Sequence, residues 1–166
     1  NFLECGNPHF FAYGQFSHFG NEWLGIDYAR QIDGMLMGGK IAKEKYNKGV
    51  MADSIESISK EYGKRALEVS SFYIDLEKSI CDIANSVKKG GKIIYIVGNR
   101  TVKGVQLPTD QFIAEKFEEH GFDHLVTYER IIGNKVMPSR NSPSNIKGKL
   151  QGTMTQEFIV VCEKKN

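Results

Sequence analysis

The residues that most constrain the fold are Lys92-Ile93-Ile94-Tyr95-Ile96-Val97, an almost unbroken β-branched and aromatic run that starts after Gly90-Gly91 and stops on Gly98-Asn99-Arg100. Such a run reads as a central parallel strand covered on both faces. Its abrupt end on a glycine and two hydrogen-bonding side chains reads as a strand finishing at a site. Upstream, from Val69, the apolar residues Phe72, Tyr73, Leu76, Ile80, Ile83, Ala84 and Val87 recur at three- and four-residue steps and so share one face of an amphipathic helix. Lys88-Lys89 in its last turn suit the negative end of the helix dipole, and Gly90-Gly91 supply a left-handed exit. Downstream, Leu107-Pro108-Thr109 leads into a helix over residues 110–120, with Phe112, Ile113 and Phe117 on one side, Thr109 as its cap and Gly121 as its stop. Residues 125–132 and 157–162 then read as strands. Neighbouring strands can be parallel only across a crossover connection, so a βαβ unit ending in two directly joined strands must send the last one back antiparallel.

The rest of the chain is organised around this unit. Residues 21–37 read as a helix anchored by Trp23, Leu24, Ile26 and Ile32, whereas residues 38–63 carry charges and scattered glycines with weak periodicity and read as an insertion holding a short helix at 53–62. The connection between the last two strands, residues 133–152, is rich in Asn, Ser, Pro, Gly, Lys and Arg. It is far longer than a hairpin loop, and loops of that length are usually functional or disordered. A chain of 166 residues supports one core, so residues 1–166 are expected to form a single domain. No apolar run approaches the roughly 20 residues that cross a bilayer. The start of the chain has no signal-peptide pattern and no initiator Met, which suggests a piece of something longer. Cys5, Cys81 and Cys162 are few, odd in number and far apart, as expected of reduced, buried thiols in a cytoplasmic protein. His18, His120 and His124 have no metal-ligand spacing, so no metal is expected. A net charge of +2 does not by itself point to nucleic acid.

The stretch from Leu76 to Arg100, with Val102-Lys103-Gly104, Leu107-Pro108-Thr109, Phe112-Ile113-Ala114-Glu115 and Gly121-Phe122, resembles the C-terminal half of site-specific DNA methyltransferases that act on an exocyclic amino group, the cytosine-N4 type being the most similar. Two further blocks carry the likeness. Ala12-Tyr13-Gly14-Gln15-Phe16-Ser17, with Trp23-Leu24-Gly25, is similar to the segment after the catalytic motif of that group. Asn134-Lys135-Val136-Met137-Pro138-Ser139, Asn141-Ser142-Pro143 and Glu157-Phe158-Ile159-Val160-Val161 are similar to its final loop and strand. The resemblance implies a Rossmann-like class I S-adenosylmethionine-dependent methyltransferase fold of α/β type, present in part: a mostly parallel sheet ending in an antiparallel strand pair. It implies S-adenosylmethionine as cofactor of the intact enzyme and double-stranded DNA as partner. The glycine-rich cofactor loop that such enzymes carry early in the chain has no counterpart here, so the N-terminal cofactor-binding part is expected to be missing. A partial sheet of this kind leaves an apolar face or edge uncovered, with self-association as the consequence.

The family's catalytic tetrapeptide has Asp, Asn or Ser, then Pro-Pro, then an aromatic residue, whose polar groups hold the target amino group while the ring stacks on the flipped base. Asn7, Pro8 and Phe10 match it with His9 in place of the second proline. A second alignment places residues 1–10 before the motif, which would then be lacking between Phe10 and Ala12. The subclass that methylates cytosine at carbon 5 needs a Pro-Cys nucleophile. No cysteine here follows a proline. Asn99, at a strand's carboxyl end, is the candidate cofactor contact. Arg100, Lys103, Lys135, Arg140, Asn141, Ser142 and Lys147 are the candidate DNA contacts, since cations and amides are what phosphates and base edges engage. The leading expectation is a fragment of a restriction-modification DNA methyltransferase, inactive by itself if the catalytic half lies elsewhere. Two other readings stay open: a catalytically inactive Rossmann-like domain that binds DNA or a protein partner, and an enzyme of the same class acting on RNA or a small molecule.

Overall fold

The computed structural model describes residues 36–132, 140–141, 151–152 and 155–166. A 3-10 turn at Gly49–Met51 leads into α1 (Ala52–Ser59), which is followed by the long helix α2 (Gly63–Ser86). Then come β1 (Lys92–Val97), a small hairpin of β2 (Thr101–Val102) and β3 (Val105–Gln106), α3 (Thr109–Glu119), and β4 (Phe122–Ile131). The long connection holds β5 (Arg140–Asn141) and β6 (Gln151–Gly152), and β7 (Gln156–Lys164) closes the chain. The expected helix at 21–37 lies almost wholly outside the described residues.

Helix α2 forms where the apolar periodicity placed it and begins a turn and a half earlier, burying Ala66, Val69, Tyr73, Leu76, Ile80 and Ala84 along one stripe. It ends at Ser86, so Lys88 and Lys89 lie beyond its last turn rather than in it. Gly90 makes the exit with φ +68°. At Gly91 close approach matters more than conformation, since a Cβ there would come within 2.7 Å of Val87 Cγ1.

The main sheet has the order β1-β7-β4. β7 pairs antiparallel with both neighbours, Ile94 opposite Val161 on one side and Val126 opposite Val161 on the other. The expected antiparallel final pair, β4 with β7, is therefore present. β1 and β4 run in the same direction, because each is antiparallel to β7, yet they do not touch through hydrogen bonds. A mostly parallel sheet is not what the described strands form: every pairing among them is antiparallel. The physical reason is connectivity, since β7 leaves the end of β4 through a loop, not a crossover, and runs back between the two co-directional strands.

β1 is consequently not covered on both faces. Ile93 is 8% exposed whereas Ile94 and Ile96 are 64% and 51% exposed. Alternation along the strand turns Ile93, Tyr95 and Val97 toward α3 and turns Ile94 and Ile96 to the opposite side. In register with them on that side stand Val161 and Ile159 of β7 and Val126 and Tyr128 of β4, and Tyr128 is likewise exposed. One face of the sheet is thus apolar and bare among the described residues.

The other face is closed by aromatic packing. Phe117 of α3 meets Tyr95 and Phe122 at ring-centroid distances of 5.5 and 5.1 Å, and Phe112 meets Tyr73 and Tyr46 at 4.9 and 5.7 Å. The segment expected as an insertion is built into this core: Tyr46, Met51, Ile55 and Ile58 are all buried. Two helical serines hang it on α2. Ser70 Oγ accepts from the Tyr46 amide at 2.9 Å and Ser71 Oγ from the Ala42 amide at 2.7 Å, while each hydroxyl donates to the carbonyl four residues back. On α3, Glu115 accepts from the Val50 amide at 2.9 Å. Its neighbour Lys116, 2% exposed, faces Glu119 at 2.7 Å and Glu77 at 3.5 Å. Burial opposes the Lys116 charge, but Glu119 and Tyr46 prevail and hold its pKa above the ordinary range. No described helix is long and apolar enough to cross a membrane.

Candidate functional site

β1 and β4 finish, and β7 starts, at the same end of the sheet. The β2–β3 hairpin, the start of α3 and the root of the long loop all gather there. Leu107 N–H donates to Arg100 C=O at 2.8 Å, extending the hairpin ladder down to the end of β1. The turn of this hairpin is Lys103-Gly104, both with positive φ (51° and 82°), as a two-residue turn between twisted strands demands.

Asn99 is spent on the start of α3. Its Oδ1 accepts from the Asp110 amide at 3.2 Å while its Nδ2 donates to Asp110 Oδ1 at 2.7 Å. A side chain from the strand end thereby caps the helix, which corrects the expectation that Thr109 does so. Thr109 is the first helical residue, and its hydroxyl is directed to Tyr73 Oη of α2 at 2.8 Å and, more weakly, to Leu107 C=O at 3.4 Å. Tyr73 is 2% and Asp110 8% exposed. Burial, partly offset by the Thr109 hydroxyl, pushes the Tyr73 phenol up to about 12. Asn99, Asp110, Thr109 and Tyr73 thus form a buried polar brace that locks β1, α3 and α2 together at the strand ends. The sequence marks Thr109 only as a cap and Tyr73 only as a core residue, and it does not single out Asp110; their joint role escapes it, because nothing in the helical pattern says which polar residues of a first turn meet a side chain eleven positions upstream.

Arg100 and Lys103 are exposed on the same end. Lys103 Nζ stands 4.6 Å from the ring centre of Tyr62, a cation–π contact. The long loop leaves β4 and returns to β7 through a bond from Ile132 N–H to Thr155 C=O of 2.9 Å. Within it Arg140 pairs with Gly152 and Asn141 with Gln151, so these two candidates lie on a short antiparallel ladder. Asn7, Pro8, Phe10, Lys135, Ser142 and Lys147 lie outside the described residues.

Much of the Asn99 amide is taken up by Asp110. Two open hollows among the described residues, each of about 300 Å³, lie away from Asn99. One is at Asp123 and Glu163–Asn166, at the opposite end of the strands, and the other runs along α2 and β1 at Ser79, Ile83 and Ile94–Ile96. What this end of the sheet offers is a rigid strand terminus with exposed cations around it. Cys162, buried in β7, has its thiol pushed up to about 11 by burial, which makes it a poor nucleophile. No group of three or more His, Cys, Asp or Glu among the described residues is placed to hold a metal.

Comparison with known proteins bears on this arrangement. Over 165 aligned residues the chain is 39% identical to the Type II methyltransferase M.MvaI of Kocuria varians, a match that takes in 92% of this chain. The chain is a homologue of a Type II methyltransferase. It spans 36% of that methyltransferase's length. No family model and no solved structure matches the chain.

Proposed function

We propose that this chain is the C-terminal portion of a restriction-modification DNA methyltransferase, which transfers a methyl group from S-adenosylmethionine to an exocyclic amino nitrogen of double-stranded DNA, cytosine N4 in preference to adenine N6. The observation that carries the reading is the 39% identity to a Type II methyltransferase across 92% of the chain. The sheet supports it. A βαβ unit with a returning strand laid between its two co-directional strands is the end expected of a class I methyltransferase fold, whose parallel part and cofactor loop would come from the remainder of the protein. In this reading Asn99 borders the cofactor through the strand end it stabilises, and Asn7, Pro8 and Phe10 stand where the target base is held. Arg100, Lys103, Lys135, Arg140 and Lys147 contact phosphates, and Asn141 and Ser142 approach the base. The activity belongs in the cytoplasm, with the DNA.

The test is methyl transfer from labelled cofactor to duplex DNA by the intact enzyme, with nucleoside analysis of the product. Methylcytosine labelled at N4 is expected, and label on adenine N6 would overturn the choice of base. The Arg140→Ala, Lys147→Ala double variant should weaken binding to all sequences and flatten its salt dependence, whereas Asn141→Ala should impair methylation more than binding. Full activity of both variants with unchanged salt slopes would remove the loop from the site.

A further inference from the structure

Residues 60–64, Lys-Glu-Tyr-Gly-Lys, form the elbow between α1 and α2, and all five are exposed. The elbow stands at the strand-end side of the molecule, since α2 runs from there to the far end where Ser86 hands the chain to β1. α1 touches β3 of the hairpin, and Tyr62 lies under Lys103 at 4.6 Å, so elbow and hairpin form one surface. That surface gathers Lys60, Lys64, Arg65, Arg100 and Lys103. Facing them are Glu61 on the elbow, Glu56, which lies near Lys60 but is paired by Lys45 at 2.5 Å, and Glu68, which Arg65 already pairs at 2.5 Å. Asp110 behind them is buried and held by Asn99. Partial desolvation, and after it the neighbouring Arg65 charge, depresses the pKa of Arg100. Collecting cations at one end of a sheet is costly in an isolated chain and favourable beside a polyanion. Lys103 also adopts a left-handed conformation that a side chain rarely takes, at a turn where glycine would be unstrained, and its ammonium is presented by the Tyr62 ring.

We infer that the α1–α2 elbow and the tip of the β2–β3 hairpin together form a phosphate-contact ridge for the DNA backbone, lying beside the strand ends and separate from the long loop. This rests on the DNA methyltransferase reading and adds to it a contact surface upstream of β1. The ridge is assigned to the backbone: from 60 to 65 it carries three cations, one carboxylate (Glu61) and one aromatic ring, and exposed cations gathered on one surface engage phosphates irrespective of sequence.

The experiment is filter binding of cognate and unrelated duplexes by the intact methyltransferase from 50 to 200 mM salt. Wild type is compared with Lys60→Gln, Lys64→Gln and with the control Lys88→Gln, Lys89→Gln, which removes the same charge from exposed residues at the opposite end of α2. Each lost phosphate contact lowers the slope of log K against log salt by about 0.9, so the elbow variant should be shallower by nearly two and its loss of affinity over this range smaller by roughly tenfold. Both duplexes should be affected alike, and the control should keep the wild-type slope. An elbow variant with the wild-type slope in an enzyme that still methylates DNA would overturn the ridge alone, as would a control that loses as much as the elbow does. A wild-type enzyme that neither binds nor methylates DNA would overturn the underlying reading and the ridge with it.

Discussion

Exchanging the two members of the Asn99–Asp110 pair tests whether that brace holds the strand end. Asn99→Asp replaces an amide that donates to Asp110 Oδ1 at 2.7 Å with a second carboxylate, at a site where Asp110 is 8% exposed. A hydrogen bond to a charged group contributes about 1.5–3 kcal/mol, and the like charges add to that loss unless one of them takes up a proton. The single variant should therefore be destabilised by about 3 kcal/mol at neutral pH. For a domain of this size that is a fall in Tm of roughly 6–12 °C. The cost should shrink toward pH 4, because forced proximity raises one carboxyl's pKa and its protonation restores a donor. In the Asn99→Asp, Asp110→Asn double variant the carboxylate at 99 still accepts from the backbone amide of residue 110, and the new amide donates back to it. Urea denaturation of the wild type, both single variants and the double variant closes a cycle in which the pair should show a coupling of about 2 kcal/mol or more. A double variant no more stable than the worse single one, or a single variant within 0.5 kcal/mol of wild type by the same measurement, would refute the brace.

The buried phenols and thiol make the fold alkali-sensitive: Tyr73 and Tyr46 are each raised from 10.0 to about 12, and Cys162 from 9.0 to about 11, in every case chiefly by burial. Because the folded state holds these protons more tightly, their stabilisation is complete below the unfolded pKa values and is lost as pH rises through the folded ones; about 3 kcal/mol from Tyr73 should disappear between pH 10 and pH 12, and Tyr73→Phe should lack that component in urea titrations across the range. Gly49 has φ +52°, and a Cβ there would fall 1.7 Å from Glu115 Oε1, so Gly49→Ala should cost about 2 kcal/mol by strain and loss of the Glu115–Val50 bond; an unchanged urea midpoint would contradict that. The bare face bearing Ile94, Ile96 and Tyr128 should drive association of this chain, so sedimentation should show oligomers whose proportion rises with concentration, and Ile96→Lys with Tyr128→Lys should return it to monomer.

The sequence by itself determined α2, β1, α3, β4 and β7 and their order, but not the β2–β3 hairpin or the β5–β6 ladder. Apolar spacing of three and four residues buries one helical face, as in α2 and α3, and a short β-branched run between turn residues favours extended chain over helix. The antiparallel return of the last strand also followed from connectivity alone. What the local pattern could not decide was which surfaces meet. Ile93 and Ile94 are the same residue type one position apart, yet one is buried and the other bare, because alternation fixes that they face opposite ways but not which side the helices cover. Residues 38–63 have weak periodicity, and still Tyr46, Met51, Ile55 and Ile58 enter the core, since their anchors are Ser70, Ser71 and Glu115, far along the chain. At the site, Asn99 and Arg100 were legible as the residues on which a strand stops. That Asn99 caps α3, and that Tyr62 and Arg65 stand beside Lys103 and Arg100, are facts of tertiary contact: the hydrogen bonds and charges that define them join residues distant in sequence, and only the folded chain brings them within reach.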